Sequence, residues 1–85
     1  MAQEEPRVTT EIQRTIDREA KLLAEAIYMV ATGRAPSTTI AGLRLGEAAM
    51  AVVGPLALEH GVVLEPLWNS DEGGIDVRVR RPVDA

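Results

Sequence analysis

A chain of 85 residues with no cysteine and one histidine excludes disulfides, thiolate metal sites and a multi-histidine centre. Apolar residues make up 46% but aromatic ones only 2%, so the core has to be aliphatic. Thirteen acidic against nine basic residues give a net charge of -4, which disfavours non-specific binding to nucleic acid or anionic membrane.

This length predicts one domain with a thin core, burying about 60–65% of the surface its unfolded chain exposes. With disulfides and thiolate metals excluded, self-association is the remaining reinforcement. All basic residues except Lys21 are arginines. With the abundant Ala, Gly and Val, this usage reads as translation of a GC-rich genome, bacterial or phage. The start, "MAQEEPRVTT", is polar and acidic, unlike a signal peptide. The longest uncharged run near the middle, Ala48 to Leu58, is too short to span a bilayer. A cytoplasmic location is therefore expected.

Residues 1–8 read as a disordered tail, and residues 9–85 as a single small α+β domain. A capping box "TEIQ" at Thr10–Gln13 opens a helix predicted to run to about Thr32. Ile12, Ile16, Ala20, Leu23, Ile27 and Val30 recur along it at helical spacing. Asp17 and Lys21 stand four apart in the favourable order, and Gly33 is a natural stop. Up to Lys21 the helix is amphipathic. From Leu22 to Ala31, "LLAEAIYMVA" is apolar nearly all round, with only Glu25 charged. A helix of that kind needs cover on more than one side. That is the reason to expect a homodimer, with Leu22, Leu23, Ala26, Ile27, Met29 and Val30 as interface candidates.

"RAPST" is a loop. The next stretch, "TTIAGLRLG", reads either as the start of a second helix or as a short strand. If it is helical from Thr38, Gly42, Gly46 and Gly54 share one stripe. From Leu45 the helical period is clear, with Leu45, Ala49, Val52 and Leu56 on one stripe and Met50, Val53 and Ala57 beside it. Pro55 predicts a kink or break, and His60-Gly61 the end.

"VVLEPLW" and "IDVRVRR" flank "NSDEGG" and predict a hairpin. A loop centred on Asp71-Glu72 pairs Trp68 with Ile75, Pro66 with Val77, Leu64 with Val79 and Val62 with Arg81. The other face then pairs Leu67 with Asp76, Glu65 with Arg78 and Val63 with Arg80. A slip of one residue would destroy this agreement, because the side-chain period is two. Pro66 marks its strand as an edge. The fold class expected is thus α+β: a long N-terminal helix, a second kinked helix and a C-terminal antiparallel β-hairpin, dimeric.

Chemistry-bearing patterns are sparse. His60 at a helix end is favoured as imidazolium by the helix dipole, a structural role. Ser37, Ser70, His60 and Asp71 have no spacing that suggests a triad. "NSDEGGID" lacks the ligand pattern of a calcium loop, and Gly73-Gly74 is no phosphate loop. No catalytic residue, cofactor or metal site is expected. Arg78 and Arg80 form a ridge, but Glu65 opposite Arg78 partly cancels its field, and no aromatic residue is interleaved to stack on bases. Arg80 and Arg81, with Arg78 beside them, are candidates for contacting an acidic protein surface. The expected function is that of a non-enzymatic interaction module, an adaptor or inhibitor acting on a partner protein. The rival is a winged-helix transcription regulator, with Leu45–His60 as recognition helix and Asn69–Gly74 as wing. Against it, the helix offers Glu47 and Glu59 but no Lys or Arg, and the wing carries Asp71 and Glu72.

Overall fold

The computed structural model describes residues 7–69 and 74–82. Helix α1 (Arg7–Ala31) is followed by strand β1 (Ser37–Leu43), helix α2 (Gly46–His60) and strands β2 (Val63–Asn69) and β3 (Gly74–Arg80). The architecture is α+β, with two helices and a three-stranded antiparallel sheet in the order β1-β3-β2. Both helices lie on one face of the sheet and pack on each other, α1 over β1 and β3, α2 over β2 and β3. No helix among the described residues is long and apolar enough to cross a membrane.

The ambiguous "TTIAGLRLG" is a strand for most of its length, so the sheet exceeds the expected hairpin by one strand. Gly42 therefore lies in β1, and the helical glycine stripe does not form. Gly42 instead marks a β-bulge: three residues of β1, from Ile40 to Leu43, advance against two of β3, from Val77 to Ile75. Its φ of 69° is the left-handed conformation that glycine adopts at no steric cost. The Gly42 N–H, turned out of the ladder, donates to Asp76 Oδ1 at 2.9 Å.

Helix α1 begins at Arg7, so Thr10 lies inside it and the capping box does not form. The Gln13 side chain donates instead to Asp17 Oδ1 at 2.9 Å, and Asp17 makes no ion pair with Lys21. The helix ends as its sequence predicts. Gly33 N–H donates to the Val30 carbonyl and Arg34 N–H to that of Met29, the paired bonds of a Schellman motif. Helix α2 closes the same way at Gly61, with Val62 N–H on the Ala57 carbonyl. That bond engages Val62, and the β2–β3 ladder stops at Val63↔Arg80, so Val62 and Arg81 do not pair.

The core contains Leu23, Ala26, Ile27 and Val30 of α1, Ala49, Val53 and Ala57 of α2, and Leu43, Ile75, Val77 and Val79 of the sheet. One side of the all-round apolar half of α1 thus finds its cover within the chain, while Leu22, Tyr28 and Met29 stay exposed. Strand β1 supplies the wall that two helices and a hairpin lacked. On α2 the buried stripe is Gly46, Ala49, Val53 and Ala57. Val52, expected inward, is 57% exposed. Gly46 sits where a Cβ would come within 2.6 Å of Ile75 Cγ1, so the close seating of α2 on β3 depends on the missing side chain. Pro55 lies within α2, which runs on through it to His60, and the proline is exposed. The carbonyl it leaves without an intrahelical donor belongs to Ala51, also exposed, where water can satisfy it.

One contact spans the helices without any forewarning. Glu19 is only 4% exposed, the one buried charged residue among those described. Its two carboxylate oxygens accept from the backbone N–H groups of Arg44 and Leu45, each at 2.8 Å. Leu45 is the N-cap of α2 and its side chain makes no capping bond. A carboxylate from α1 therefore supplies hydrogen bonds that the Leu45 side chain does not make, and its charge adds to that of Glu47 in the first turn.

Candidate protein-binding face

Alternation along β3 divides the sheet. Ile75, Val77 and Val79 are buried under the helices, while Asp76, Arg78 and Arg80 point to the opposite, helix-free face. The register places Leu67 opposite Asp76, Glu65 opposite Arg78 and Val63 opposite Arg80. On the other flank, Thr39 stands opposite Arg78 and Ser37 opposite Arg80. The helix-free face is thus a central row of Asp76, Arg78 and Arg80 between half-buried Val63 and Leu67 on one side and hydroxyls on the other. The partners of β2 on the inner face, Leu64, Pro66 and Trp68, align with Val79, Val77 and Ile75. The Trp68 side chain, expected on that inner face, lies outside the described residues, as do Ser70, Asp71, Glu72 and Gly73 of the hairpin loop.

The arginines are held rather than free. Arg78 Nε and Arg80 Nε both donate to the same oxygen, Glu65 Oε1, at 3.1 Å each. Arg80 Nη1 also donates to the Arg81 carbonyl at 3.2 Å. The Arg80 hydrogen bond above all, then the charge and bond of Arg78, hold the Glu65 carboxyl below its usual range against the opposing effect of desolvation. One carboxylate between two guanidinium groups fixes both arginines, and with Asp76 in the same row the face carries two charges of each sign, the positive pair gathered at the Arg80 end.

A titration checks that geometry. The Glu65 carboxyl carbon, followed by NMR, should titrate below the ordinary glutamate value of about 4.3. Arg80→Gln and Arg78→Gln should each raise its midpoint. Because the folded value is depressed, the stabilisation from this cluster is full above the unfolded value and disappears as pH falls through the folded one. A midpoint that neither substitution moves would contradict the shared bond.

Arg81 stands apart from the ridge. It lies past the end of β3, and its Nε and Nη2 donate to the Val30 carbonyl at 3.4 and 3.3 Å, at the C-terminal end of α1. A cation at that end of a helix also faces the negative pole of its dipole. Arg80 and Arg81 border a hollow of about 390 Å³ whose other walls are Gly33, Ala35 and Pro36. Gly33 is part of its construction, since a Cβ there would approach Arg81 Nη2 to 3.3 Å.

The remaining candidates separate. Leu23, Ala26, Ile27 and Val30, expected at a dimer interface, are buried in the chain's own core. Leu22 and Met29 are exposed on α1, and the largest exposed apolar side chains of α2 are Val52 and Leu58, the latter 83% exposed. His60 packs edge-on against Tyr28, with ring centroids 5.1 Å apart, and its Nε2 lies 3.9 Å from Glu59 Oε1. Among the described residues no three His, Cys, Asp or Glu side chains gather in a group that could hold a metal ion. The helix-free face was half legible in advance: alternation marked Arg78, Arg80 and Glu65, and the same parity marked Val63 and Leu67. The walls Gly33, Ala35 and Pro36 carried no signal, because they meet Arg80 and Arg81 only when β1 pairs with β3.

No family model, curated protein or solved structure matches this chain.

Proposed function

We propose that this protein is a non-enzymatic protein-interaction module, an adaptor or inhibitor, that engages an acidic surface of a partner protein through the helix-free face of its sheet. The observation that carries the reading is the pair Arg78 and Arg80, fixed on one Glu65 oxygen beside half-buried Val63 and Leu67. Arginines already held in place lose little side-chain entropy on binding, and an apolar neighbour lets their contacts be desolvated. A winged-helix reading finds less support. Strand β1 separates α1 from α2, so these helices do not form a helix-turn-helix pair, and α2 carries no Lys or Arg.

Self-association belongs to the same proposal, with its support moved to the exposed Val52 and Leu58 of α2 and Leu22 and Met29 of α1. The test combines mass and capture. Light scattering at micromolar concentration should give a dimer mass. Tagged wild-type protein returned to its native cell extract should retain a partner that the doubly reversed Arg78→Glu, Arg80→Glu protein does not, while both melt cooperatively. Retention by the reversed protein, shown to be folded, would remove the sheet face from the function.

A further inference from the structure

We propose that the hollow between the α1–β1 loop and the end of β3 is a carboxylate pocket, which takes one aspartate or glutamate side chain of a protein partner. The proposal rests on the protein-binding reading above and names the chemistry that reading requires. The pocket has two kinds of wall. Ala35 and Pro36 are apolar and have no side-chain donor to offer. Arg80 and Arg81 form the other wall, and the Arg81 guanidinium reaches the hollow beside Gly33, where a Cβ would come within 3.3 Å of its Nη2. A carboxylate on a short methylene stem matches both walls: the stem would lie on Pro36 and Ala35, and an oxygen would reach the Arg81 guanidinium.

Each guanidinium has donors left for it. A guanidinium carries five N–H groups in a planar fork. Arg80 uses Nε on Glu65 and Nη1 on the Arg81 carbonyl, so Nη2 makes no bond to the described residues. Arg81 uses Nε and Nη2 on the Val30 carbonyl, so its Nη1 is open. Neither guanidinium has to leave its present partner for a carboxylate to bind. Arg81 also has no carboxylate partner among the described residues, whereas Arg78 and Arg80 share Glu65.

The volume sets the size of the guest. About 390 Å³ accommodates one or two side chains and lies at the small end of the range typical of ligand pockets. The chain as a whole repels acids, with a net charge of -4. Attraction of an acidic peptide would therefore report this local site and not a general field.

The experiment is an amide-resolved NMR titration with acetyl-Glu-Glu-Glu-amide, its Gln counterpart, and inorganic phosphate. The Glu peptide should produce saturable shifts at Gly33, Ala35 and Arg81, and the Gln peptide should not. Arg81→Gln should weaken the Glu peptide about tenfold, since its charge-assisted contact is lost. Arg14→Gln, exposed on α1 far along the chain, should leave it unchanged. Absent or unsaturable shifts, equal shifts from the Gln peptide, or displacement of the peptide by lower concentrations of phosphate would overturn the proposal, the last in favour of a free-anion site. The outcome is separable from that of the sheet face. Peptide binding without partner capture would sink the broader reading and keep the pocket. Capture that is indifferent to Arg81→Gln, with no peptide shifts, would do the reverse.

Discussion

Val77→Asp should abolish the folded state. Val77 is fully buried at the centre of β3, opposite Ile40 of one neighbouring strand and Pro66 of the other. A carboxylate there meets the aliphatic side chains of the core, where the one buried charged residue described is itself acidic, Glu19. Burying an unpaired charge costs several kcal/mol even when the group protonates to escape ionisation. The lost valine packing adds to this. A domain of this size has of the order of 5–10 kcal/mol of stability in total. The expected result is loss of the cooperative thermal transition and of dispersed amide signals at 25 °C. Thr39→Asp, one strand away and on the helix-free face, is the control. It should stay within about 1 kcal/mol of wild type, because its side chain is exposed beside Arg78. A folded Val77→Asp protein would mean that β3 can present its other face to the helices, and the whole division of the sheet would be wrong.

Glu19→Ala should be the most costly substitution of any charged residue among those described. It strands the backbone N–H groups of Arg44 and Leu45, both satisfied only by the Glu19 carboxylate among the described contacts. Each unsatisfied donor costs about 1–3 kcal/mol, and the negative charge at the start of α2 is lost as well. The sum expected is about 2–5 kcal/mol, or a fall in Tm of the order of 10–30 °C for a domain this small. Glu19→Gln should fall between the two proteins. Its amide keeps one acceptor oxygen but turns an NH2 group toward a backbone N–H. Glu11→Ala, exposed on α1, should change the Tm by no more than a few degrees. Denaturant melts of the four proteins rank them. A Glu19→Ala protein as stable as the Glu11→Ala control would show that the α2 start is capped by some other group.

Glu19 also shows how a sequence pattern can hold a signal and still pass it by. The residue falls beside Ala20 on the stripe that runs through Ile16, Leu23 and Ile27, so a charge sits where the period demands burial. Charges at such places are rarely left unpaired, and the pattern alone could have asked for a partner. It could not have named one, because the two N–H groups lie 25 and 26 residues further along the chain. Val52 and Leu58 show the opposite limit. Residues Ala48 to Leu58 of α2 are uncharged throughout, so periodicity had little contrast with which to choose the buried side. The sheet chose it, by seating Gly46 on Ile75.

What the sequence by itself determined is whatever has a local physical cause. Helix α1 follows from the 3.6-residue recurrence of apolar side chains, and both helices stop at glycines that adopt the left-handed conformation. The pairing of β2 with β3 follows from the two-residue period, which excludes a slip of one residue once Val77, Val79 and Ile75 must share a face with Leu64, and from the position of the turn between the two runs. The tertiary structure alone decided the rest. Strand β1 carries no charge and a glycine bulge, so its alternation is too weak to declare it, and only pairing with β3 fixes it as a strand. That one addition places Leu23, Ala26, Ile27 and Val30 of α1 in the chain's own core and leaves Leu22 and Met29 outside it. It also brings Arg81 onto the Val30 carbonyl, 51 residues away, and so makes the hollow at Gly33. Contacts at that separation depend on the shape of the folded chain, which no local periodicity encodes.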